Sequence, residues 1–279
     1  MRSIVWLASY PKSGNTWLRI FLENLLSASE TACSINNLSA THMSCSLDLF
    51  LNECPWNISL MTQDEIDNLR PKIYSNISQQ SKDLKFFKTH SGYFYNTSGK
   101  PVFPDEATRS AIYLVRNPID ICISYAYHRG HIDFDSIIKD MGNPEACLFS
   151  IPGTSSRQLR QKILSWSMNV KSWISEKSFP VLVLRYEDIL NNPHDSFSKV
   201  VNHLKLEKNK DAIQKAIKNS SFEELQRQEH LYSFKEKPGK AQAFFRAAKK
   251  GEGRATLSSK QIETIISDHG NVMSEFDYL

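Results

Sequence analysis

No apolar run in this sequence approaches the ~20 residues that a helix needs to cross a bilayer, so an α-helical membrane span is excluded. The apolar stretch Ile4–Ala8 is also shorter than the ~7–15-residue core of a secretory leader, and the chain is expected to stay in the cytoplasm. There is no C-x-x-C pair. Five cysteines (Cys33, Cys45, Cys54, Cys122 and Cys147) are an odd number, which fits reduced structural thiols better than a disulfide framework or a zinc site. Glycine is scarce at 10 of 279 residues, and no segment reads G-x-x-x-x-G-K-[ST], so an ordinary ATP–magnesium loop is disfavoured. Charge of one sign is not gathered into an arm or a long run: the net charge is +4, and nucleic acid is not needed to explain it. Internal repeats and low-complexity tracts are absent.

What is present is an ordinary globular composition, 41% hydrophobic and 23% charged, which supports one α/β domain over residues 1–279. Strand-like segments at Ser3–Ser9, Leu84–Lys88, Ala111–Val115 and Val181–Leu184 alternate with helical patterns, the signature of a central parallel sheet flanked by helices. Helices are expected at Thr16–Leu26, Asp64–Tyr74, Pro118–His128, Ser156–Glu176, Pro193–Leu204, Lys210–Asn219 and Ser259–Asp268. Functional residues should lie at strand C-terminal ends. Ser27–Trp56 and Arg129–Thr154 read as loops over a pocket, and the basic stretch Tyr232–Arg254, with Pro238 and Gly239, reads as a mobile lid.

The most informative segment is Tyr10–Trp17, Y-P-K-S-G-N-T-W, between the apolar run Ile4–Ala8 and the helical pattern from Leu18. Pro11 turns the chain out of a strand, Gly14 lets backbone approach a ligand, and Lys12 adds a cation. The N–H groups at the helix start favour a phosphate-like anion, so the loop is P-loop-like without being a nucleotide P-loop. This segment resembles the 5′-phosphosulfate loop, Y-P-K-S-G-T-T-W, of the sulfotransferases that use 3′-phosphoadenylyl sulfate (PAPS). The resemblance implies donor contacts from Lys12, Ser13, Gly14, Asn15, Thr16 and Trp17, with Trp17 stacking on the adenine.

Four further segments extend the likeness. Lys88-Thr-His90 resembles the family's K-T-H, which implies His90 as the general base and Lys88 as a group that assists charge at the sulfuryl group. Arg116-Asn-Pro-Ile-Asp-Ile-Cys-Ile-Ser124 resembles the 3′-phosphate motif R-N-P-x-D-x-x-x-S, implying that Arg116 and Ser124 hold that phosphate. From the residues alone, an Arg116–Asp120 pair at the helix start is an alternative. Tyr186 in Y-E-D, and Ser220 and Phe222 in S-S-F, correspond to positions that line the adenine. The family's last motif, F-F-R-K-G-x-x-G-D-W, also clamps the 3′-phosphate; here Phe244–Arg254 reads F-F-R-A-A-K-K-G-E-G-R, with Ala247 and Ala248 for Lys-Gly and Gly253 for the tryptophan, so the resemblance implies Arg246 on that phosphate and Lys249 or Arg254 as the replacement cation. The motif forms are most similar to bacterial sulfotransferases that tailor secondary metabolites.

The implied reaction moves a sulfuryl group from PAPS to a hydroxyl, or an amine, of a small molecule such as a glycopeptide, a phenol or an alkaloid toxin, leaving 3′,5′-adenosine bisphosphate (PAP). Lys12 would meet the charge on the leaving bridging oxygen. No metal is expected: His128, His131, Asp133 and Asp135 have metal-ligand types, but Gly130 breaks the single-face spacing. A homodimer is left open, because relatives use the altered C-terminal region for dimer contacts. A kinase-like phosphotransferase and a non-catalytic nucleotide- or glycan-binding module are the competing readings.

Overall fold

The computed structural model describes residues 2–149 and 157–279. The chain runs through β1 (Ile4–Ser9), α1 (Asn15–Leu26), β2 (Thr41–Met43), α2 (Leu47–Glu53), α3 (Gln63–Gln80), β3 (Lys85–Thr89), β4 (Thr108–Val115), α4 (Pro118–Arg129) and α5 (Phe134–Gly142). It continues with β5 (Cys147–Leu148), β6 (Gln161–Lys162), α6 (Trp166–Ile174), β7 (Val181–Arg185), α7 (Tyr186–Asn191), α8 (Pro193–Leu204), α9 (Lys210–Asn219), α10 (Phe222–Tyr232), α11 (Glu252–Thr256) and α12 (Ser259–Glu275).

The fold is α/β, with a central sheet in the order β2-β3-β1-β4-β7; β5 and β6 form a separate antiparallel pair. All six residues of β1 are buried, which explains why Ile-Val-Trp-Leu-Ala shows no polar alternation: a parallel strand covered on both faces has no solvent side. It runs parallel to β3, pairing Leu7 with Lys88 and Ala8 with Thr89, and β3 runs parallel to β2. Because β2 and β3 lie on one side of β1 and β4 and β7 on the other, the topology switches at β1. The loop Tyr10–Gly14 leaves its C-terminal end, where such sheets bind ligands.

Two compact units are distinguished: Met1–Tyr10, Thr41–Tyr113 and Pro144–Val183 in the first, and Pro11–Ala40, Leu114–Asn143 and Leu184–Leu279 in the second. The first is centred on Trp6, whose ring meets Tyr74 and Phe103 edge-on at 4.9 and 4.8 Å and whose indole N–H donates to Thr108 Oγ1 at 2.9 Å. Such aromatic pairs contribute about 0.5–1.5 kcal/mol each beyond area burial. In the second, the apolar face of α1 buries Leu18, Phe21, Leu22 and Leu25, and Phe21 stacks on Phe197 of α8 at 3.8 Å.

Several elements differ from the sequence reading. The stretch Ser27–Trp56 contains β2 and α2, the latter with Phe50 as its one buried residue, set edge-on to Tyr74 at 6.1 Å. One anchor produces no period. Within Arg129–Thr154 lies α5, whose buried Ile137, Ile138 and Met141 span barely two turns; residues 150–154 lie outside the described residues. The helix expected over Ser156–Glu176 starts only at Trp166, capped by Ser165, because Gln161 and Lys162 pair with β5; Ser156 lies outside the described residues. The segment Phe222–Tyr232 is helical, and α12 continues to Glu275.

The extension of α12 places His269 on its buried face with Ile265, Val272 and Met273. Burial pushes this imidazole down from 6.5 to about 4, against a smaller raising effect of Asp268. Between those values the unfolded chain binds the proton and the native state does not, so stability rises with pH. Folding stability should therefore be fully present above the unfolded value and decline by about 3 kcal/mol as pH falls to the folded value. Urea unfolding from pH 4 to 8 should show this slope, and His269→Gln should flatten it. An equally steep variant would assign the acid sensitivity to other groups.

Candidate functional site

In the second unit, the loop between β1 and α1 takes the left-handed conformation at alternate residues, Lys12 (φ 68°) and Gly14 (φ 97°). Alternation of this kind turns successive backbone N–H groups toward one concavity, next to the positive end of α1. The first helical turn closes on Gly14, whose carbonyl accepts from Trp17 N–H at 3.0 Å and Leu18 N–H at 3.2 Å. Glycine is needed there twice over: for its φ, and because a Cβ would stand 2.7 Å from Cδ2 of Tyr186. The Lys12 ammonium lies 3.2 Å from His128 Nδ1 and 4.4 Å from the Phe244 ring centroid. An ammonium only donates, so His128 Nδ1 is the acceptor in this contact and its ring is neutral.

Arg116 follows the end of β4. Its guanidinium donates to Lys12 O at 3.0 Å and to Lys249 O at 3.2 Å and lies 4.4 Å from the Tyr186 ring centroid. Tyr186, first residue of α7, is thus held between Arg116 and Gly14, with Trp17 edge-on at 6.2 Å. Arg116 Nε, Ser13 Oγ and Trp17 Nε1 are buried without a hydrogen-bond partner among the described residues. Buried polar atoms of this kind call for a polar ligand, since leaving one unsatisfied costs about 1–3 kcal/mol. A phosphosulfate-bearing nucleotide therefore fits the donor set of this unit.

Two buried acids hold Arg116's surroundings in place. Asn117 N–H donates to Glu187 at 3.0 Å, and the other oxygen of Glu187 accepts from Tyr278 OH at 2.8 Å. Asp120 makes no pair with Arg116 among the described residues: its carboxylate accepts the N–H groups of Gly251 and Gly253, both at 2.7 Å, fixing the start of α11. Gly253 is obligatory on packing grounds, for a Cβ would stand 2.4 Å from Ile119 O. Gly253, which stands where the family pattern has tryptophan, thus belongs to a segment docked on Asp120 and Ile119.

The remaining donor candidates of this unit are placed as follows. Asn15 and Thr16 form the buried first turn of α1, and Ser124 is half-buried on α4. Ser220 is fully buried and donates its hydroxyl to Ala216 O at 2.8 Å, so a ligand could meet only its lone pairs. Phe222 packs on the apolar cluster of Ile20, Ile35, Leu225, Phe234 and Phe245. Arg246 forks onto both oxygens of Glu252 and lies 4.2 Å from the Tyr127 ring centroid. Lys249 is exposed, and Arg254 donates to Tyr278 O at 3.2 Å. The basic segment expected as a lid is anchored: Phe234 and Phe245 belong to that cluster, and the Phe244 and Phe245 N–H groups donate to Glu229 at 2.7 and 2.9 Å.

The first unit carries Lys88 and His90. Lys88 is buried on β3 beside Leu7 of β1 and Met43 of β2. His90, just past the end of β3, has Nδ1 at 2.9 Å from Ser9 O and 3.3 Å from Ser9 Oγ. A carbonyl only accepts, so Nδ1 carries the proton and Nε2 is the basic nitrogen. The backbone of His90 is clamped on both sides: its N–H donates to Gln161 Oε1 at 2.8 Å, and its carbonyl accepts from Asn169 Nδ2 at 3.0 Å. Asn169 is fully buried, donates also to Ile163 O and accepts from Tyr113 OH at 2.7 Å.

Gln161, Asn169 and Glu187 are the residues around these sites that the sequence reading did not single out, and His128 was weighed only as a metal ligand. The only available signal was polarity inside apolar context, as in the Trp-Ser-Met-Asn-Val run of α6. The residues weighed as a metal cluster diverge: Asp133 caps α5 through Ser136 N–H, Asp135 accepts from Gln261 at 2.8 Å, and His128 meets Lys12. No metal-binding group of three or more ligands occurs among the described residues. No described helix is long and apolar enough to cross a membrane.

The chain is similar to several known sulfotransferases. Dog Sulfotransferase 1B1 is 29% identical over 226 residues, 78% of this chain and 64% of that protein. The flavonol 3-sulfotransferase of Flaveria bidentis is 28% identical over 279 residues, covering 94% and 78%. The chain thus spans just under two thirds of the length of the first of these. The fold is shared with mouse sulfotransferase SULT7A1 complexed with PAP, at TM-score 0.62 and 17% identity over 98% of this chain and 85% of that one. Retinol dehydratase in complex with retinol and PAP gives TM-score 0.64 at 17% identity, covering 98% and 81%. The family model of the sulfotransferase domain matches residues 2–277, and the chain belongs to that family.

Proposed function

We propose that residues 1–279 act as one PAPS-dependent sulfotransferase domain that transfers a sulfuryl group to a hydroxyl of a small molecule. The observation that carries this reading is the orientation of His90. Its Nδ1–H is engaged by the Ser9 carbonyl, which leaves Nε2 to take a proton, while the second unit offers a phosphosulfate-type loop with orphaned buried donors. PAPS supplies the activated sulfuryl group: one S–O bond forms to the acceptor oxygen, and the bridging S–O bond breaks with its electron pair leaving on PAP. His90 Nε2 accepts the acceptor's proton. Lys12 and the loop N–H groups stabilise the leaving oxygen, Lys88 holds charge on the sulfuryl oxygens, and Arg116 with Ser124 holds the 3′-phosphate.

The acceptor assignment to a bacterial secondary metabolite, a glycopeptide, phenol or alkaloid toxin, rests on the motif forms around Lys12, Arg116 and Gly251–Arg254. The named relatives above come from animals and a plant, so acceptor choice needs a direct screen. Thermal unfolding separates the donor classes. PAP at about one hundred times its Kd should stabilise the fold by about 2.7 kcal/mol, and ADP at the same concentration should give little. Radiolabelled sulfate should then move from PAPS to members of a phenol and alcohol panel. Protection by ADP with none by PAP would favour a phosphotransferase, and PAP protection without transfer to any acceptor would leave a binding module.

A further inference from the structure

Arg246, one of the cations that the resemblance implies for the 3′-phosphate, already faces an anion of this chain. Glu252, first residue of α11, presents both carboxylate oxygens to the Arg246 guanidinium in a bidentate fork. That is the geometry in which a guanidinium grips a phosphate. The backbone around it is fixed: Asp120 holds the N–H groups on either side of Glu252, at Gly251 and Gly253, and Arg116 Nη2 is on the carbonyl of Lys249, three residues before Glu252. Glu252 therefore cannot drift far with its own loop. From the geometry we infer that Glu252 is an internal competitor of the donor's 3′-phosphate, a carboxylate that occupies Arg246 when donor is absent and must release it when donor or product binds.

This inference rests on the donor assignment above and deepens it. The Glu252 carboxyl is held below the usual range, first by its hydrogen bond to Arg246 and further by the charges of Arg246, Arg116 and Lys249, so it remains an anion at neutral pH. Three of the cations expected around the phosphate thus act on this one side chain. Arg246 cannot serve two anions at full strength, and a phosphate brought to it also meets the charge of Glu252. The effect is moderate because the pair is partly solvated, with side-chain exposures of 31% for Arg246 and 27% for Glu252. A competitor of this kind weakens product as well as donor, which speeds the release of PAP.

The test is calorimetric binding of PAP and of adenosine 5′-monophosphate, which lacks the 3′-phosphate, to wild type, Glu252→Gln and Glu252→Asp. Glu252→Gln should bind PAP about five- to tenfold more tightly, adenosine monophosphate should change less than twofold, and Glu252→Asp, which keeps the charge, should stay near wild type. Weaker PAP binding by Glu252→Gln would overturn the inference by showing that the carboxylate pre-positions Arg246 for the ligand. Equal shifts for both nucleotides would overturn it by placing the effect away from the 3′-phosphate. The Asp120 contacts are to backbone, so the variant keeps the dock of α11, and an unchanged melting temperature checks this. Wild-type protein that transfers sulfate from PAPS while Glu252→Gln binds PAP unchanged would remove this inference alone. Wild-type protein that neither binds PAP nor transfers sulfate would remove the donor assignment with it.

Discussion

Replacing His90 by alanine should lower turnover by about 10²–10⁴-fold, the range that a positioned proton acceptor contributes, with PAP affinity nearly unchanged. The expectation follows from the Ser9 carbonyl at 2.9 Å from Nδ1, which fixes the tautomer and leaves Nε2 to accept a proton. The same contact suggests a stricter variant. An asparagine at 90 carries an amide N–H close to where Nδ1–H stands, so it can keep the tie to Ser9 while offering no base. His90→Asn should therefore be as inactive as His90→Ala. Recovery of activity in His90→Asn would show that His90 serves to hold the end of β1, because only the structural half of its role is preserved. Single-turnover rates and PAP titrations on the two variants separate these outcomes.

Lys12→Ala should slow the single-turnover chemical step by about 10²–10³-fold, the loss seen when one preorganised donor to a developing negative charge is removed. Acceptor affinity should change far less, since the charge on the bridging oxygen grows only toward the transition state. Alanine is the informative replacement. Position 12 has φ 68°, and a Cβ-bearing residue retains the backbone demand that lysine already meets, so the N–H concavity of the loop is not remodelled. Glycine would add flexibility, and arginine would bring a larger planar group against His128 and Phe244. A Lys12→Ala enzyme with a normal chemical step and weakened acceptor binding would make Lys12 a packing residue of that cluster.

The parts of this protein legible from its sequence are those in which structure is local. The strand β1 is a short apolar run, the parallel strand β3 carries the adjacent Phe86 and Phe87, and Tyr10–Gly14 combines a turn, a glycine that must be left-handed, and a helix start within a few residues. Arg116 and Tyr186 each directly follow a strand, where α/β sheets place ligand-binding groups, and both were read through their resemblance to family motifs. Pro193–Leu204 and Lys210–Asn219 were readable because each carries a sustained apolar stripe. The short elements α2, α5 and α11 were not, since a helix of one or two turns with one to three buried anchors has no period to detect.

The sequence by itself determined the strand–loop–helix at Tyr10–Trp17, the strand-end positions of Lys12, His90, Arg116 and Tyr186, and the α/β class, because bond geometry and burial act over a few neighbouring residues. The tertiary structure alone decided which buried polar group meets which. Asp120 reaches Gly251 across 131 residues, Asn169 reaches the His90 carbonyl across 79, and Asn117 reaches Glu187 across 70. Each is a hydrogen bond between groups that had to leave water together, and its partner is set by which loops the sheet brings side by side. The tautomer of His90 and the engagement of Arg246 by Glu252 belong to the same class: a charge or a proton is assigned by a neighbour in space, and no spacing along the chain encodes that neighbour.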